Sequence, residues 1–472
     1  MSEFFQLLVQ GAQIVVLAII ATGVAQDLVY LLQLCIVAAP RDKTDGAGSA
    51  DELWQRYGDV CPPIALLVPA YNEQASIADS VKALLSLRYP NIEVIVINDG
   101  SRDGTMDVLK SAFHLDALKR SYEPTVPHAA IRQVYGSPLH ANLVVIDKQN
   151  GGKADALNAG INLSRAPLFC AIDADSLIEP DALLRVVQPF IDRPSRTVAV
   201  GGTVRVANGC RIAGGQVVEI RAPRKLLPLF QAVEYLRAFL IARVAWSRAG
   251  ALTLISGAFG MFRRDIVMAV GGYSLGTVGE DLELGFKIHR RMLDEQRDYE
   301  IVFLPEPVCW TEVPESLAVL GRQRSRWQRG ALEAFFKHRN MLFHPRYGRI
   351  GSLGLGHVLL VDVLGPPIEM AGYILLPLLW ASGWLSVDYL LAFLGLTFAF
   401  GTFVSIASLV LSEIGLRRYP AEQDLLRLAL GALLENFGYR QLSNLWRLRG
   451  WWQFLRGEQS WGAMTRVGFR RD

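Results

Sequence analysis

Both ends of this chain are too apolar to form the surface of a water-soluble domain. Phe4 to Ala39 is largely apolar, interrupted mainly by Gln10, Gln13, Gln26, Asp27 and Gln33, and Ser352 to Trp384 and Val387 to Ser412 are two further runs of this kind. About 20 helical residues span the roughly 30 Å of bilayer hydrocarbon, so each run is long enough to cross if its polar residues face protein. Pro366-Pro367 divides the second run, which predicts an interfacial or broken helix over Leu353 to Leu364 before a crossing from Ile368 to Trp384. Leu425 to Leu434 is apolar too, but Arg427 within it and Glu435, Asn436 and Arg440 after it fit an interfacial or re-entrant helix better. No basic residue precedes the first run, which argues against a cleaved signal peptide.

Charge gives an orientation. Arg417 and Arg418 follow the third run, and Arg440, Arg447, Arg449, Arg456, Arg466, Arg470 and Arg471 populate the tail, so the positive-inside tendency puts both on the cytoplasmic side. The expectation is a multi-pass protein of a bacterial-type inner or plasma membrane, with one crossing before a cytoplasmic domain and two after it. The predicted divisions are a transmembrane segment at 1–41, a cytoplasmic domain with interfacial helices at 62–345, membrane and interfacial helices at 350–448, and a basic tail at 449–472. A formal charge of +3 over 472 residues is too small to imply a nucleic-acid partner. Five scattered cysteines show neither paired zinc spacing nor a disulfide framework.

The central region alternates buried strands with helices, an α/β pattern. After a mixed polar connector at Asp42 to Pro63, Ile64 to Val68 reads as a strand, Pro69 to Glu73 as a loop and Ser76 to Leu87 as a helix. A second strand, Glu93 to Ile97, ends at Asn98-Asp99-Gly100-Ser101, and a helix begins at Thr105. Leu143 to Ile146 is a further strand, and Asn150-Gly151-Gly152-Lys153 leads into another helix. No Gly-x-Gly-x-x-Gly follows the first strand, and the Lys153 spacing excludes a Walker A loop. The two glycines permit close backbone approach, and Lys153 offers positive charge to a diphosphate.

Ala166 to Asp175 ends an apolar run in two carboxylates two residues apart. If the strand geometry persists, Asp173 and Asp175 share one face and serve one divalent cation directly or through water. Oxygen ligands together with diphosphate oxygens suit Mg²⁺ or Mn²⁺. An isolated Asp-x-Asp is more often a solvated strand end, so the weight rests on its company.

With Val68-Pro69-Ala70-Tyr71-Asn72-Glu73, Asp99-Gly100, Lys153, Asp173/Asp175, Gly279-Glu280-Asp281 and Gln323-Arg324-Ser325-Arg326-Trp327 in this order, the chain resembles the processive, membrane-embedded family 2 glycosyltransferases. Cellulose, chitin, hyaluronan and poly-N-acetylglucosamine synthases form this group, and the resemblance covers roughly residues 62 to 340. It implies a GT-A α/β fold and an inverting polymerase that uses UDP-N-acetylglucosamine or UDP-glucose, with membrane lipids and accessory export proteins as further partners. By the same resemblance Ala70, Tyr71, Glu73 and Asp99 face the nucleoside, and Lys153, Asp173 and Asp175 the diphosphate and metal, while Arg326 offers further charge compensation to the leaving diphosphate. Asp281 becomes the general base, with Ser256, Gly257, Glu280, Gln323 and Trp327 around the acceptor. Trp461, Thr465 and Arg466 look like a gating segment, with Ala463 and Met464 inserted relative to the family pattern.

The residue chemistry agrees. Direct substitution at an activated sugar needs a base for the acceptor hydroxyl and positive charge for the leaving diphosphate. The competing readings are single-sugar transfer to a lipid-linked acceptor and a membrane scaffold that binds nucleotide without catalysis.

Overall fold

The computed structural model describes residues 3–39, 50–416, 419 and 421–458. At its centre is a ten-stranded mixed sheet. Its strands begin with β1 (Ile64–Ala70), β2 (Ile92–Asp99), β3 (Asp116–Ala117), β4 (Ile131–Gly136), β5 (Leu143–Lys148) and β6 (Leu168–Ile172). Next come β7 (Leu177–Ile178) and β8 (Thr197–Val206), then β9 (Arg211–Ala213) and β10 (Gln216–Glu219), which form a separate ribbon. The chain completes the sheet with β11 (Phe259–Arg263) and β12 (Glu300–Thr311), in the spatial order β3-β4-β5-β2-β1-β6-β11-β8-β12-β7.

The block β5-β2-β1-β6 is parallel, as the strand-helix alternation predicts. Ile64 to Val68 are wholly buried, as a central strand covered on both faces requires. Beyond β6 the sheet changes character, because β11 lies antiparallel to both β6 and β8. The described part of the expected connector is helical over Ala50–Tyr57 and Gly58–Val60. Leu53 and Tyr57 are buried on a helix at Ala50–Tyr57, and the Tyr57 hydroxyl lies 3.2 Å from the Asp192 carboxylate.

Among the described residues, three helical segments are long and apolar enough to cross a membrane: Ile14–Ala38, Ile350–Ala381 and Val387–Ile414. The Leu425 to Leu434 region lies in the Glu422–Leu434 helix, which packs on the Leu226–Tyr235 helix and is not one of the three. The helical run from Phe230 to Trp246 packs between the sheet and the apolar helices. The Ile350 segment continues as a helix through the proline pair, but with wide π turns at Ile350–Gly354 and Leu359–Leu364.

The prolines explain how that segment docks. Pro366 and Pro367 have no N–H, so the helix cannot supply α-type partners to the carbonyls of Asp362 and Val363. Side chains from neighbouring helices do so instead: Gln328 Nε2 donates to Asp362 O (2.5 Å) and Trp451 Nε1 to Val363 O (3.2 Å). Arg447 adds bonds to Val361 O (2.6 Å) and the Asp362 carboxylate (3.0 Å). Arg447 and Trp451 lie on the Tyr439–Leu455 helix, so the first residues of the predicted tail, to Leu455, are helical and packed. Arg417, Arg418, Arg466, Arg470 and Arg471 lie outside the described residues.

Candidate active site

A cavity of about 2070 Å³ opens at the carboxyl edge of the parallel strands and extends between the membrane-length helices. Lys153, Asp173, Asp175 and Asp281 line its sheet end, and Ile19, Tyr373, Phe393 and Phe400 line its far end.

Lys153 begins the helix Lys153–Leu163 directly after Gly152, whose φ of +88° favours glycine. Its Nζ lies 2.5 Å from Asp173 Oδ1 and 3.0 Å from Gly257 O. Burial alone would lower the ammonium pKa, but Asp173 and Glu280 outweigh it and hold it above its ordinary value. Asp99 organises the preceding turn rather than lining this cavity. Buried at the end of β2, it accepts from Lys148 Nζ (2.5 Å) and from the N–H groups of Gly151 (3.0 Å) and Gly152 (2.8 Å).

The structure corrects the strand geometry of the aspartate pair. β6 ends at Ile172, and Ser176 N–H closes a turn on Asp173 O at 3.0 Å. The alternation that would place Asp173 and Asp175 on one face therefore stops before them, yet the turn brings both to the cavity wall. Among the described residues no group of three His, Cys, Asp or Glu side chains is arranged to hold a metal. Two aspartates without a protein cage fit a Mg²⁺-like ion that completes its shell with phosphate oxygens and water, and do not fit zinc.

Asp281 is the second residue of the helix Glu280–Asp294, and Gly279 occupies the N-cap, so Asp281 is not the cap. Its Oδ2 accepts Gly257 N–H at 3.1 Å and its Oδ1 lies 2.9 Å from Leu282 N. Gly257 thus touches both the base candidate and the lysine. A Cβ there would lie 3.0 Å from Lys153 Nζ and 3.5 Å from Asp281 Oδ2. Beside it Glu280 is buried, and burial, then repulsion from Asp281, pushes its carboxyl up to about 7 against the pull of Lys153.

Gln323, Arg326 and Trp327 project from one helix, Leu317–His338, into the same cavity. Trp327 is held from above by the Arg324 guanidinium, 4.4 Å from its ring centre. Glu234 pairs with that guanidinium at 2.7 Å and accepts from the Tyr439 hydroxyl at 2.8 Å.

The cavity therefore gathers Lys153, Asp173, Asp175, Ser256, Gly257, Glu280, Asp281, Gln323, Arg326 and Trp327. Ala70, which ends β1 rather than lying in the predicted Pro69 to Glu73 loop, and Tyr71 and Glu73 just after it stand outside its wall, and Glu73 N–H donates to Thr105 Oγ1 (2.9 Å). Trp461, Thr465 and Arg466 lie outside the described residues. Sequence reasoning missed Glu234 and Arg243, which also line the cavity. Burial draws Arg243 down to about 10, with Asp281 opposing, so it stays charged at neutral pH. The available signal was charge inside an otherwise apolar helical run.

Residues 125–330 match the family model described as glycosyltransferase like family 2, and residues 65–126 match glycosyl transferase family 2. A poly-beta-1,6-N-acetyl-D-glucosamine synthase of Staphylococcus epidermidis is 30% identical over 275 residues, 58% of this chain and 56% of that protein. The synthase of the same name from Staphylococcus aureus strain COL is 29% identical over the same shares. The chain thus spans just over half the length of these curated relatives. In fold it is similar to a mannosyltransferase from Pyrobaculum calidifontis solved with GDP-Man and Mn²⁺. The TM-score is 0.57 at 18% identity, covering 94% of this chain and 99% of that one.

Proposed function

The chain belongs to the family 2 glycosyltransferases, with a GT-A-like mixed sheet, and from that premise we propose that it polymerises sugar from a UDP-sugar into a β-linked glycan. The observation that carries this reading is one cavity holding Lys153, the aspartate pair, Asp281 and Trp327 and continuing between membrane-length helices. N-acetylglucosamine is the preferred donor sugar over glucose, supported by the named activity of the two synthases.

In the proposed reaction, Asp281 takes the proton of an acceptor hydroxyl as its oxygen attacks the anomeric carbon. The bond from that carbon to the diphosphate oxygen breaks on the opposite side, inverting the centre and releasing nucleoside diphosphate. Lys153 and Arg326 offset the charge that develops on the leaving group. Asp173 and Asp175 would hold a divalent cation, Mg²⁺ or Mn²⁺, which supplies further positive charge to the diphosphate. Trp327 offers a ring face to the acceptor pyranose, and Gln323 offers an amide to its hydroxyls. The extension of the cavity between the apolar helices supports passage of the product into the membrane, with the catalytic domain cytoplasmic.

Purified protein given single UDP-sugars should release UDP only with Mg²⁺ or Mn²⁺ present, and mass and linkage analysis should find chains of several units. One-sugar addition to a lipid under donor excess would replace polymerisation by glycolipid synthesis. Absence of UDP release across a broad donor and acceptor panel would remove the enzymatic reading.

Glu280 makes the site sensitive to pH. With its pKa raised to about 7, the folded state holds a proton there that the unfolded chain has already lost, so stability falls as pH rises towards 7. Glu280→Gln should remove that fall and the accompanying inflection in kcat/KM near neutrality. Melting curves at pH 5 and pH 8 that shift identically in both proteins would show that Glu280 is ionised throughout.

A further inference from the structure

Buried polar atoms almost always have partners, and each one left without costs about 1–3 kcal/mol. One wall of the cavity holds three such atoms outside the motifs already described: Arg243 Nη1, Trp246 Nε1 and His357 Nδ1 are buried and make no hydrogen bond. Arg243 and Trp246 stand three residues apart on one helical run, so they share a face. The Trp246 and His357 rings meet at 5.2 Å between centres with a 58° tilt, and the Arg243 guanidinium lies 3.8 Å above the Phe239 ring. His357 reaches this position because its helix packs tightly on the loop leading to Gly257. A Cβ at Gly354 would lie 2.8 Å from Thr253 Cγ2 and 3.3 Å from Ala251 O.

We propose that Arg243, Trp246 and His357 form a second sugar subsite that holds the acceptor unit behind the reacting one. The inference rests on the glycosyl-transfer reading and adds a ligand position to it. Two of the orphaned atoms are obligate donors and the third is an imidazole nitrogen able to donate or accept, so the fitting ligand is rich in neutral oxygens. Sugar hydroxyls and an acetamido carbonyl meet that description, and the indole supplies an apolar face for a pyranose ring. A diphosphate fits poorly, since the wall carries one fixed cation and that cation already interacts with Asp281.

The test compares the mono-, di- and tetrasaccharide of the transferred sugar as acceptors for purified full-length protein. Wild-type kcat/KM should rise from the monosaccharide to the longer acceptors. Trp246→Phe keeps an aromatic face but removes the N–H together with the five-membered half of the indole, and should cut that gain at least about fivefold through acceptor KM, leaving the KM for the UDP-sugar in place. Arg243→Lys should cut it further, because the compact ammonium cannot reproduce a stacked planar donor. Retained stabilisation of each variant by UDP in thermal unfolding confirms that it is folded. Equal loss with short and long acceptors, or no loss, overturns the subsite while wild-type turnover leaves the enzymatic reading standing. Absence of wild-type transfer to any acceptor overturns both.

Discussion

Asp281→Asn should lower kcat by about 10²–10⁴ while leaving UDP-sugar binding in place, the loss expected when a positioned general base is removed. The substitution keeps the size of the side chain and leaves its oxygen able to accept the Gly257 N–H now 3.1 Å away. It removes the lone-pair basicity needed to take a proton. Lys153 stays bonded to Gly257 O at 3.0 Å and to Asp173, so the diphosphate side of the cavity retains its charge. Rapid UDP-release measurements give kcat, and calorimetric titration with UDP checks binding. Turnover within a fewfold of wild type would take Asp281 out of the base role, and loss of UDP binding would make it a structural residue.

The parallel half of the sheet was legible because each of its strands is a short apolar run between turn residues and a following helix. Ile64 to Val68 and Phe169 to Ile172 are buried on both faces, so composition alone marks them. The other half hides its strands. β12 carries Pro305 and Pro307, which ordinarily argue against a strand, and its pairing with β8 shifts register between Leu304 and Pro307 and again before Cys309. β8 carries Gly201 and Gly202, whose missing side chains leave room for Phe303 and Val308. Only the tertiary partner makes sense of either pattern.

At the candidate site, residues inside compact motifs were legible and residues joined by distant packing were not. Lys153 sits after its glycine turn, and Asp281 next to its helix start, in sequence as in space. The Glu234 to Arg324 pair is separated by 90 residues, and the Trp246 to His357 contact joins two different helices. Pattern reading does not reach such pairs. The aspartates show the opposite limit: their order was visible, but strand periodicity fails at Asp173 because the backbone turns there.

Gly330→Ala should cost about a hundredfold in turnover even though alanine is the better helix former. On propensity alone it would stabilise the Leu317–His338 helix by about 0.8–1 kcal/mol. The local packing reverses that sign. A Cβ on Gly330 would lie 2.7 Å from the Cα and N of Gly279, and a Cβ on Gly279 would lie 2.6 Å from Gly330 O, so backbone meets backbone with nothing flexible to yield. Overpacking of this kind typically costs about 1–3 kcal/mol. Gly279 directly precedes Glu280 and Asp281, and Gly330 lies three residues beyond Trp327, so the contact sets the spacing between base and acceptor platform. A displacement near 1 Å at reacting groups costs roughly 10²-fold. The loss should fall mainly on kcat and acceptor KM and weigh less on UDP binding, since Lys153, Asp173 and Asp175 lie on other elements and only Arg326 shares the displaced helix. Steady-state kinetics with a melting curve separates the two effects: a variant at least as stable as wild type with turnover within twofold would show that this glycine pair does not hold the two elements in register.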